Sequence, residues 1–199
     1  MPQNDMIPSA DQSAWEGFLK GDRQAFARLY REHIHQLIAY GMRISSEQHV
    51  VKDAIQDLFV ELWRSRASLS PVRSVKSYLL KSLRYKLLRN SKVRTRYYSD
   101  LPEQADPQNI ETNMLAAEEE TGQREKVRRA ISRLPARQQE VINLRFFHAC
   151  STEEAAEIMS VNYQSATNLL HRAIVHLRQY LDGGALTGIS LFFDFFLNR

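Results

Sequence analysis

Hydrophobic side chains recur every three or four positions through residues 26–88, which is the spacing of amphipathic helices. The stripe is interrupted twice by helix-breaking or polar residues. Gly41 and the pair at 45–46 are predicted to separate a first helix from a second, and residues 68–71 the second from a third. The pattern therefore predicts a helical domain over about residues 10–96.

The helical spacing returns over residues 123–182. Within this part, Ser151 followed by Glu154 has the pattern of a capping box, which starts a helix. A short turn at residues 160–162 then precedes a last helix, expected over about residues 163–181. A short helix, a tight turn and a longer helix are typical of a helix-turn-helix unit.

The predicted fold class is all-α: two helical domains joined by a flexible acidic linker, the second of them a helix-turn-helix domain. The chain's 7 Gly and 6 Pro are too few for a loop-rich β protein. The predicted parts are a first domain at 1–96, the linker at 97–122, the second domain at 123–182 and an apolar tail at 183–199. For the tail segment ISLFFDFFL, packing within the chain and contact with a partner are equal alternatives.

Charge is distributed unevenly along the chain. Residues 64–96 contain 11 Lys and Arg and no Asp or Glu, whereas residues 97–123 contain 7 Asp and Glu and no Lys or Arg. A basic block without acids attracts polyanions such as nucleic acid. The alternative is a solvated helix face, although such faces usually mix both signs. Tyrosines accompany the block and offer rings for stacking on unpaired bases, unless they are core residues, as we expect of the first: Tyr78, Tyr85, Tyr97 and Tyr98.

Several classes of protein are disfavoured. The sequence has no Gly-rich phosphate loop and no Cys/His cluster with metal-ligand spacing. Cys150 is the single cysteine, so no internal disulfide can form, which suits a reducing cytoplasm. The first residues do not resemble a signal peptide, and the apolar run at 189–197 is too short to span a membrane. We expect a cytoplasmic binding protein that is not an enzyme and has no cofactor, metal or small-molecule substrate.

Two helix faces are candidates for binding. The last helix has an outer face rich in hydrogen-bonding groups, which suits the DNA major groove, although a plain helical hairpin would show the same pattern: Tyr163, Gln164, Thr167, Asn168, His171 and Arg172. The helix within residues 51–63 has a second face, away from its apolar stripe, which fits either a protein partner or plain solvation: Gln56, Asp57, Val60, Glu61 and Arg64.

Taken in order, these segments resemble the extracytoplasmic-function (ECF) sigma factors of bacterial RNA polymerase over about residues 18–182. AFARLYREHIHQLIAY resembles the family's first conserved helix, and DAIQDLFVELW resembles its polymerase-binding helix. SVKSYLLKSLRYKLLRNSKVR resembles the segment that melts and reads the minus-ten promoter element. LPARQQEVINLRF and HRAIVHLR lie in the part that resembles the domain reading the minus-thirty-five element.

The resemblance implies an alternative sigma factor that binds core RNA polymerase and promoter DNA, promotes DNA opening and is restrained by an anti-sigma factor. The implied polymerase contacts are Asp53, Gln56, Asp57, Val60 and Glu61. The implied contacts near the minus-ten element are Lys76, Lys81, Arg84, Tyr85, Lys86, Arg89 and Lys92. Those at the minus-thirty-five element are Arg145, Thr152, Tyr163, Gln164, Thr167, Asn168, His171 and Arg172. The acidic linker would pass toward the RNA channel of the polymerase.

The chain also departs from the family pattern. Residues 165–170 lack two basic residues that are common in the recognition helix, which implies weaker phosphate anchoring, and Ser160 stands where Gly is common. The alternative interpretation is a helix-turn-helix regulator that binds DNA without being a polymerase subunit. Such a regulator does not need DAIQDLFVELW, so co-purification with core polymerase distinguishes the two.

Overall fold

A computed structural model describes residues 10–98 and 126–181. The chain divides into two compact units, Met1–Arg94 and Thr95–Arg199. Within the described residues all regular structure is helical, which confirms the predicted all-α class. The N-terminal residues 1–9, most of the predicted acidic linker and the whole predicted tail lie outside the described residues.

The first unit is built on a long central helix, α2, which contacts three other helices. Their bounds are α1 Ala10–Leu19, α2 Arg23–Ile44, α3 Gln48–Ser65 with a 3-10 turn at Arg66–Ser68, and α4 Val75–Arg89. The helix α5, Ser91–Tyr98, follows and crosses the boundary between the units. The loop between the 3-10 turn and α4 agrees with the predicted break at 68–71.

The helix α1 is an addition to the three helices predicted for this domain. It is separated from α2 by Gly21, whose φ of +86° is accessible to glycine, and by Asp22. The Asp22 carboxylate accepts hydrogen bonds from the backbone N–H groups of Gln24 and Ala25, at 2.7 and 3.3 Å. This N-cap starts α2 at a defined residue.

Aromatic side chains fill the core between α1, α2 and α3. Trp15 and Phe18 of α1 are buried, with ring centroids 5.1 Å apart, and Phe18 stacks on Phe26 of α2 at 5.4 Å. Phe26 in turn lies 5.0 Å from Trp63 of α3. The Trp15 indole N–H donates to the Ser70 carbonyl at 3.2 Å, so it satisfies its own polar group while it ties α1 to the loop before α4. These contacts fix α3 and α4 on the same scaffold.

The predicted break at Gly41 is wrong, whereas the break at 45–46 is correct. The helix α2 continues through Gly41 and ends at Ile44, with Ser45 as its C-cap. Gly41 is buried. Packing explains this glycine inside a helix, because Val51 of α3 comes too close to position 41 for a side chain to fit there.

The second unit is a helix-turn-helix domain with a separate apolar core. It contains α6 at residues 126–132, α7 Ala136–Ile142 continued by a π turn at Asn143–Phe147, α8 Thr152–Met159 and α9 Tyr163–Leu181. Its core combines side chains from α6, the turn that follows it, α7, the π turn and α9: Ala130, Ile131, Leu134, Ile142, Phe146, Ala173, Leu177 and Leu181. Both α7 and α8 pack on α9.

None of the helices in the described ranges has the length and apolar character that a membrane crossing requires.

Candidate protein-binding and nucleic-acid interfaces

One side of α3 is exposed along its length and carries all of the predicted polymerase contacts. The opposite side is buried through Val51, Ile55, Leu58, Phe59 and Leu62. The exposed residues recur every three or four positions and so share one face: Asp53, Gln56, Asp57, Val60 and Glu61. We call this set the α3 polar face. Three carboxylates and one amide beside an exposed valine suit a partner helix with basic and apolar side chains.

An apolar groove lies next to this face, between α2 and α3. It has a volume of about 640 Å³, and it is lined by Phe26, Tyr30, Ile34, Ile38, Lys52, Ile55, Gln56, Phe59, Val60, Trp63 and Arg64. Tyr30 is 43% exposed and meets Phe59 edge-on, with ring centroids 4.9 Å apart. The sequence pattern did not lead us to expect this groove. A signal for it is nevertheless present, because Tyr30, Ile34 and Ile38 form a second apolar row, four residues apart, beside the main stripe of α2.

The exposed side of α4 carries three of the residues expected to meet DNA. Lys81, Tyr85 and Arg89 are spaced by four residues and are all exposed. Tyr85 is 66% exposed, and the Arg89 guanidinium carbon lies 5.9 Å from its ring centroid. A ring with a cation beside it is a suitable platform for a nucleic-acid base.

Two other tyrosines of the basic block, Tyr78 and Tyr97, are placed differently, and the side chain of Tyr98 lies outside the described part of the structure. Tyr78 is half-buried and packs edge-on against Trp15, with centroids 5.2 Å apart, as expected of a core residue. Tyr97 is buried. Tyr85 is therefore the ring on α4 that is available for stacking on a base.

Arg84 requires a correction. It was predicted to face promoter phosphates, but only 5% of it is exposed. The reason is its register, since Arg84 lies one turn from both Leu80 and Leu87, which are buried on the core side of α4. We therefore remove Arg84 from the proposed DNA-binding set.

Two further lysines of the predicted set lie on α4, and one lies on α5. Lys76 is half-buried in the first turn of α4, and Lys92 belongs to α5. Lys86 is directed toward α3, where its Nζ lies 2.6 Å from Oε1 of Glu61. The structure thus joins one predicted DNA contact to one predicted polymerase contact.

In the second unit, local hydrogen bonds define both ends of α8. The Ser151 hydroxyl accepts from the Glu154 backbone N–H at 3.1 Å, and the Glu154 carboxylate accepts from the Ser151 N–H at 2.8 Å, which confirms the capping box. The helix ends at Ser160, whose φ of 54° and ψ of 47° are left-handed. Asn162 then accepts from the Ser165 N–H at 2.7 Å and starts α9.

The outer face of α9 is polar and exposed, as predicted. Tyr163, Gln164, Asn168, His171 and Arg172 are exposed, and Thr167 is half-buried. The Gln164 amide donates to the Asn168 side-chain oxygen at 3.1 Å, and the Thr167 hydroxyl donates to the Tyr163 carbonyl at 3.0 Å. These bonds orient side chains whose remaining donors and acceptors point away from the core and can bind base edges or phosphates.

The two predicted backbone contacts next to this face are less open. Thr152 is half-buried in the first turn of α8. Arg145 is half-buried, and its Nη1 donates to the carbonyl of Cys150. Arg145 therefore stabilises the turn after the π helix in addition to any contact with DNA.

Metal-binding geometry does not occur in the part of the chain that the structure describes. Residues 10–98 and 126–181 contain no group of three His, Cys, Asp or Glu side chains placed to hold a metal ion. Cys150 is buried and, as the single cysteine of the chain, forms no internal disulfide.

A hydrogen bond on the surface of α2 shifts the pKa of one carboxylate. Arg28 and Glu32 form an exposed ion pair on α2, with Nε and Oε1 2.7 Å apart. The hydrogen bond from Arg28 lowers the pKa of Glu32. Exposed ion pairs of this kind contribute little to stability, so we assign the Arg28–Glu32 pair no role in holding the fold together.

Comparison with known families matches both units. The family description "Sigma-70 region 2" matches residues 29–97, and "Sigma-70, region 4" matches residues 124–177. Together they cover more than half of the chain. The first match includes the α3 polar face and α4, and the second includes the helix-turn-helix.

Individual relatives agree with these matches. The chain is 25% identical over 173 residues to the RNA polymerase sigma factor YlaC of Bacillus subtilis (strain 168), which covers 79% of this chain and 92% of YlaC. The fold of this chain is similar to that of CnrH in complex with the cytosolic domain of CnrY, with a TM-score of 0.61 and 20% identity. The superposition covers 88% of this chain and 99% of the CnrH chain. The fold is also similar to that of the sigma factor RpoE in complex with the anti-sigma factor NepR from Bartonella quintana, with a TM-score of 0.57 and 22% identity. The superposition covers 80% of this chain and 98% of the RpoE chain.

Proposed function

Because this chain belongs to the sigma-70 family as an extracytoplasmic-function sigma factor, we propose that it directs core RNA polymerase to promoters through three surfaces. The α3 polar face docks on the polymerase, α4 holds the opened minus-ten region, and α9 enters the duplex at the minus-thirty-five element. RNA synthesis itself is left to the polymerase, so the chain is not an enzyme and acts in the bacterial cytoplasm, where that polymerase works.

The observation that carries the proposal is the α3 polar face. Its three carboxylates, Asp53, Asp57 and Glu61, are exposed on one side of a helix whose other side is anchored in an aromatic core. A rigid row of acids suits a basic surface on a partner protein. A helix-turn-helix regulator does not require this row, and the region 2 match covers it, so that alternative is set aside.

Binding of purified core polymerase tests this surface. Asp57→Ala is expected to weaken core binding about tenfold, because loss of one interfacial carboxylate leaves a partner cation unpaired. Glu16→Ala, which removes an exposed acid from α1, is the matched control and should bind as the wild type does. Full retention of core binding by Asp57→Ala would remove the α3 polar face from the proposal.

Reconstituted transcription tests the function as a whole. The full chain and core polymerase are incubated with a genomic DNA library, and transcripts are mapped to their start sites. The expected result is a set of start sites that share two upstream elements and depend on the added chain. If no template gives start-site-selective transcripts, the proposed function is wrong.

On α4 we propose that Tyr85 captures an unpaired base while Lys81 and Arg89 hold phosphates. Opening a duplex costs a few kcal/mol per unstacked base, so it needs a surface that binds the extruded base. The exposure of Tyr85 and the position of Arg89 beside its ring support this role. The lysines and arginines supply the salt-dependent part of the affinity.

The proposal extends to an inhibitory partner. The structures of CnrH and RpoE each contain a bound protein, CnrY and the anti-sigma factor NepR respectively. We propose that an anti-sigma factor inserts apolar side chains into the groove between α2 and α3 and thereby blocks the adjacent α3 polar face. The open apolar lining, including Tyr30 and Ile38, supports this occupant.

Inhibition of transcription, and not capture from cells alone, tests the groove. A protein purified on the full chain must stop transcription by the wild-type holoenzyme. Ile38→Ala removes part of the apolar lining of the groove. This variant should transcribe normally, and about ten times more inhibitor should be needed to stop it than to stop the wild type. Equal inhibition of the two would show that the inhibitor binds elsewhere.

A further inference from the structure

The ion pair between Glu61 and Lys86 is asymmetric. Their charged atoms, Oε1 and Nζ, lie 2.6 Å apart, but the Glu61 side chain is 66% exposed and the Lys86 side chain only 15%. A cation from outside can therefore reach Glu61 without disturbing the fold. Lys86 reaches solvent much less, and its ammonium group is directed at the carboxylate.

This arrangement changes what DNA encounters on α4. A lysine and a carboxylate in close contact have no net charge as a pair, so the pair attracts a phosphate weakly and contributes little to counterion release. Lys81, on the same helix, is exposed and contributes its full charge. The two lysines look equivalent in the sequence, but in the structure only Lys81 faces an incoming strand.

We infer that Glu61 masks Lys86 in the free protein and that polymerase binding unmasks it. A basic side chain of the polymerase that pairs with Glu61 on the α3 polar face takes the carboxylate away from Lys86. The lysine then turns to a DNA phosphate. Polymerase binding and DNA binding are in this way coupled through Glu61 of α3 and Lys86 of α4. The inference rests on the proposed function, because it explains how polymerase binding at the α3 polar face regulates DNA binding by α4.

The salt dependence of DNA binding by the free full chain tests the masking. The probe is a random-sequence single-stranded oligonucleotide, for which each phosphate contact adds about 0.7 to the slope of log affinity against log salt. Glu61→Gln keeps the shape of the side chain and removes its charge, so it should steepen the slope by about 0.7 and tighten binding at low salt. Glu16→Gln removes the same charge from α1 and should leave the slope unchanged.

The unmasking is tested with a second pair of variants, with and without core polymerase. Lys86→Gln should leave the slope of the free chain unchanged but reduce that of promoter complexes formed by the holoenzyme by about 0.7 to 0.9. Lys81→Gln should reduce both slopes. Because the Lys86 side chain is only 15% exposed, the folding of each variant is checked by circular dichroism, and each is expected to keep the helical signal of the wild type.

The results separate this inference from the proposed function. If the wild-type holoenzyme initiates at promoters but Glu61→Gln behaves as Glu16→Gln does, the masking is refuted while the function stands. A loss of slope for Lys86→Gln in the free chain, equal to that for Lys81→Gln, also refutes it. If the wild-type chain supports no initiation, the function and the inference fail together.

Discussion

Gly41 of α2 lies directly against Val51 of α3: a Cβ atom added to Gly41 would come within 2.5 Å of Val51 Cγ1. Val51 is fully buried and cannot move aside without disturbing the core. This contact sets how closely α2 and α3 approach, and therefore the shape of the groove and the position of the α3 polar face.

Gly41→Ala is expected to destabilise the protein by about 1–2 kcal/mol. Alanine gains about 1 kcal/mol of helix propensity, but overpacking of a tight core costs about 1–3 kcal/mol, and a separation of 2.5 Å places this site at the upper end. The measurement is chemical denaturation of the full chain, followed by circular dichroism.

A double-mutant cycle supplies the control for this contact. Val51→Ala removes the atom that clashes, so Gly41→Ala should cost less in its presence than in the wild type, with a coupling free energy of at least about 0.5 kcal/mol. Strict additivity of the two changes would show that the helices adjust and that the contact does not limit their approach.

Ser160 provides a prediction in the opposite direction. Its backbone is left-handed, with φ of 54° and ψ of 47°, a conformation that costs a residue with a side chain about 1–2 kcal/mol. Part of this is offset by the extra entropy that glycine has in the unfolded chain. Ser160→Gly should therefore stabilise the second unit by about 0.5–1 kcal/mol.

Hydrogen exchange of the α8 and α9 amides in the full chain measures this effect, since protection there should rise by the corresponding factor. Ser160→Ala removes the same hydroxyl but keeps a Cβ atom, so it should bring no gain. If alanine stabilised as much as glycine, the serine hydroxyl and not the backbone conformation would be the source of the cost.

Local signals are predictable from the sequence, and tertiary ones are not. The Ser151–Glu154 capping box and the turn at 160–162 depend on residues within one helical turn, and both predictions are correct. Gly41 was assigned to a helix break because a glycine disfavours helix, but its role is set by Val51, a residue on another element. A local pattern does not contain that information.

The candidate site shows the same division. The spacing of Asp53, Asp57 and Glu61 is enough to predict that they share one helix face, and they are exposed together. The family resemblance implied that Arg84 contacts DNA, but helical register places it with buried leucines. The pairing of Glu61 with Lys86 depends on how α3 packs on α4, which no spacing along one helix reveals.

Tyr85→Ala should impair promoter opening. Stacking of one base on an aromatic ring is worth about 1–3 kcal/mol, so open complexes should decrease by roughly tenfold to a hundredfold. Permanganate reactivity of unpaired thymines in the holoenzyme complex measures the opened fraction.

Tyr85→Phe retains the ring without its hydroxyl and serves as the matched variant for stacking. It should open promoters nearly as well as the wild type does. A phenylalanine variant as defective as the alanine variant would show that Tyr85 acts by hydrogen bonding, and the stacking role would have to be abandoned.

The outer face of α9 separates base reading from phosphate binding. Asn168 is exposed, and its amide can bond base edges, whereas the exposed Arg172 carries a charge suited to phosphates. Because two basic residues common in the family's recognition helix are absent here, each remaining cation should contribute a large share of the salt dependence.

Arg172→Ala is expected to weaken binding to every duplex alike and to reduce the salt slope by about 0.9, because one phosphate contact is lost. Asn168→Ala should leave the slope unchanged and reduce discrimination between the selected minus-thirty-five element and altered duplexes, by about 1–3 kcal/mol at one base pair. Both are measured by holoenzyme binding to duplexes that carry the element, over a range of salt concentrations. If Arg172→Ala changed sequence preference with no effect on the slope, the arginine would be reading a base, and the two assignments on α9 would have to be exchanged.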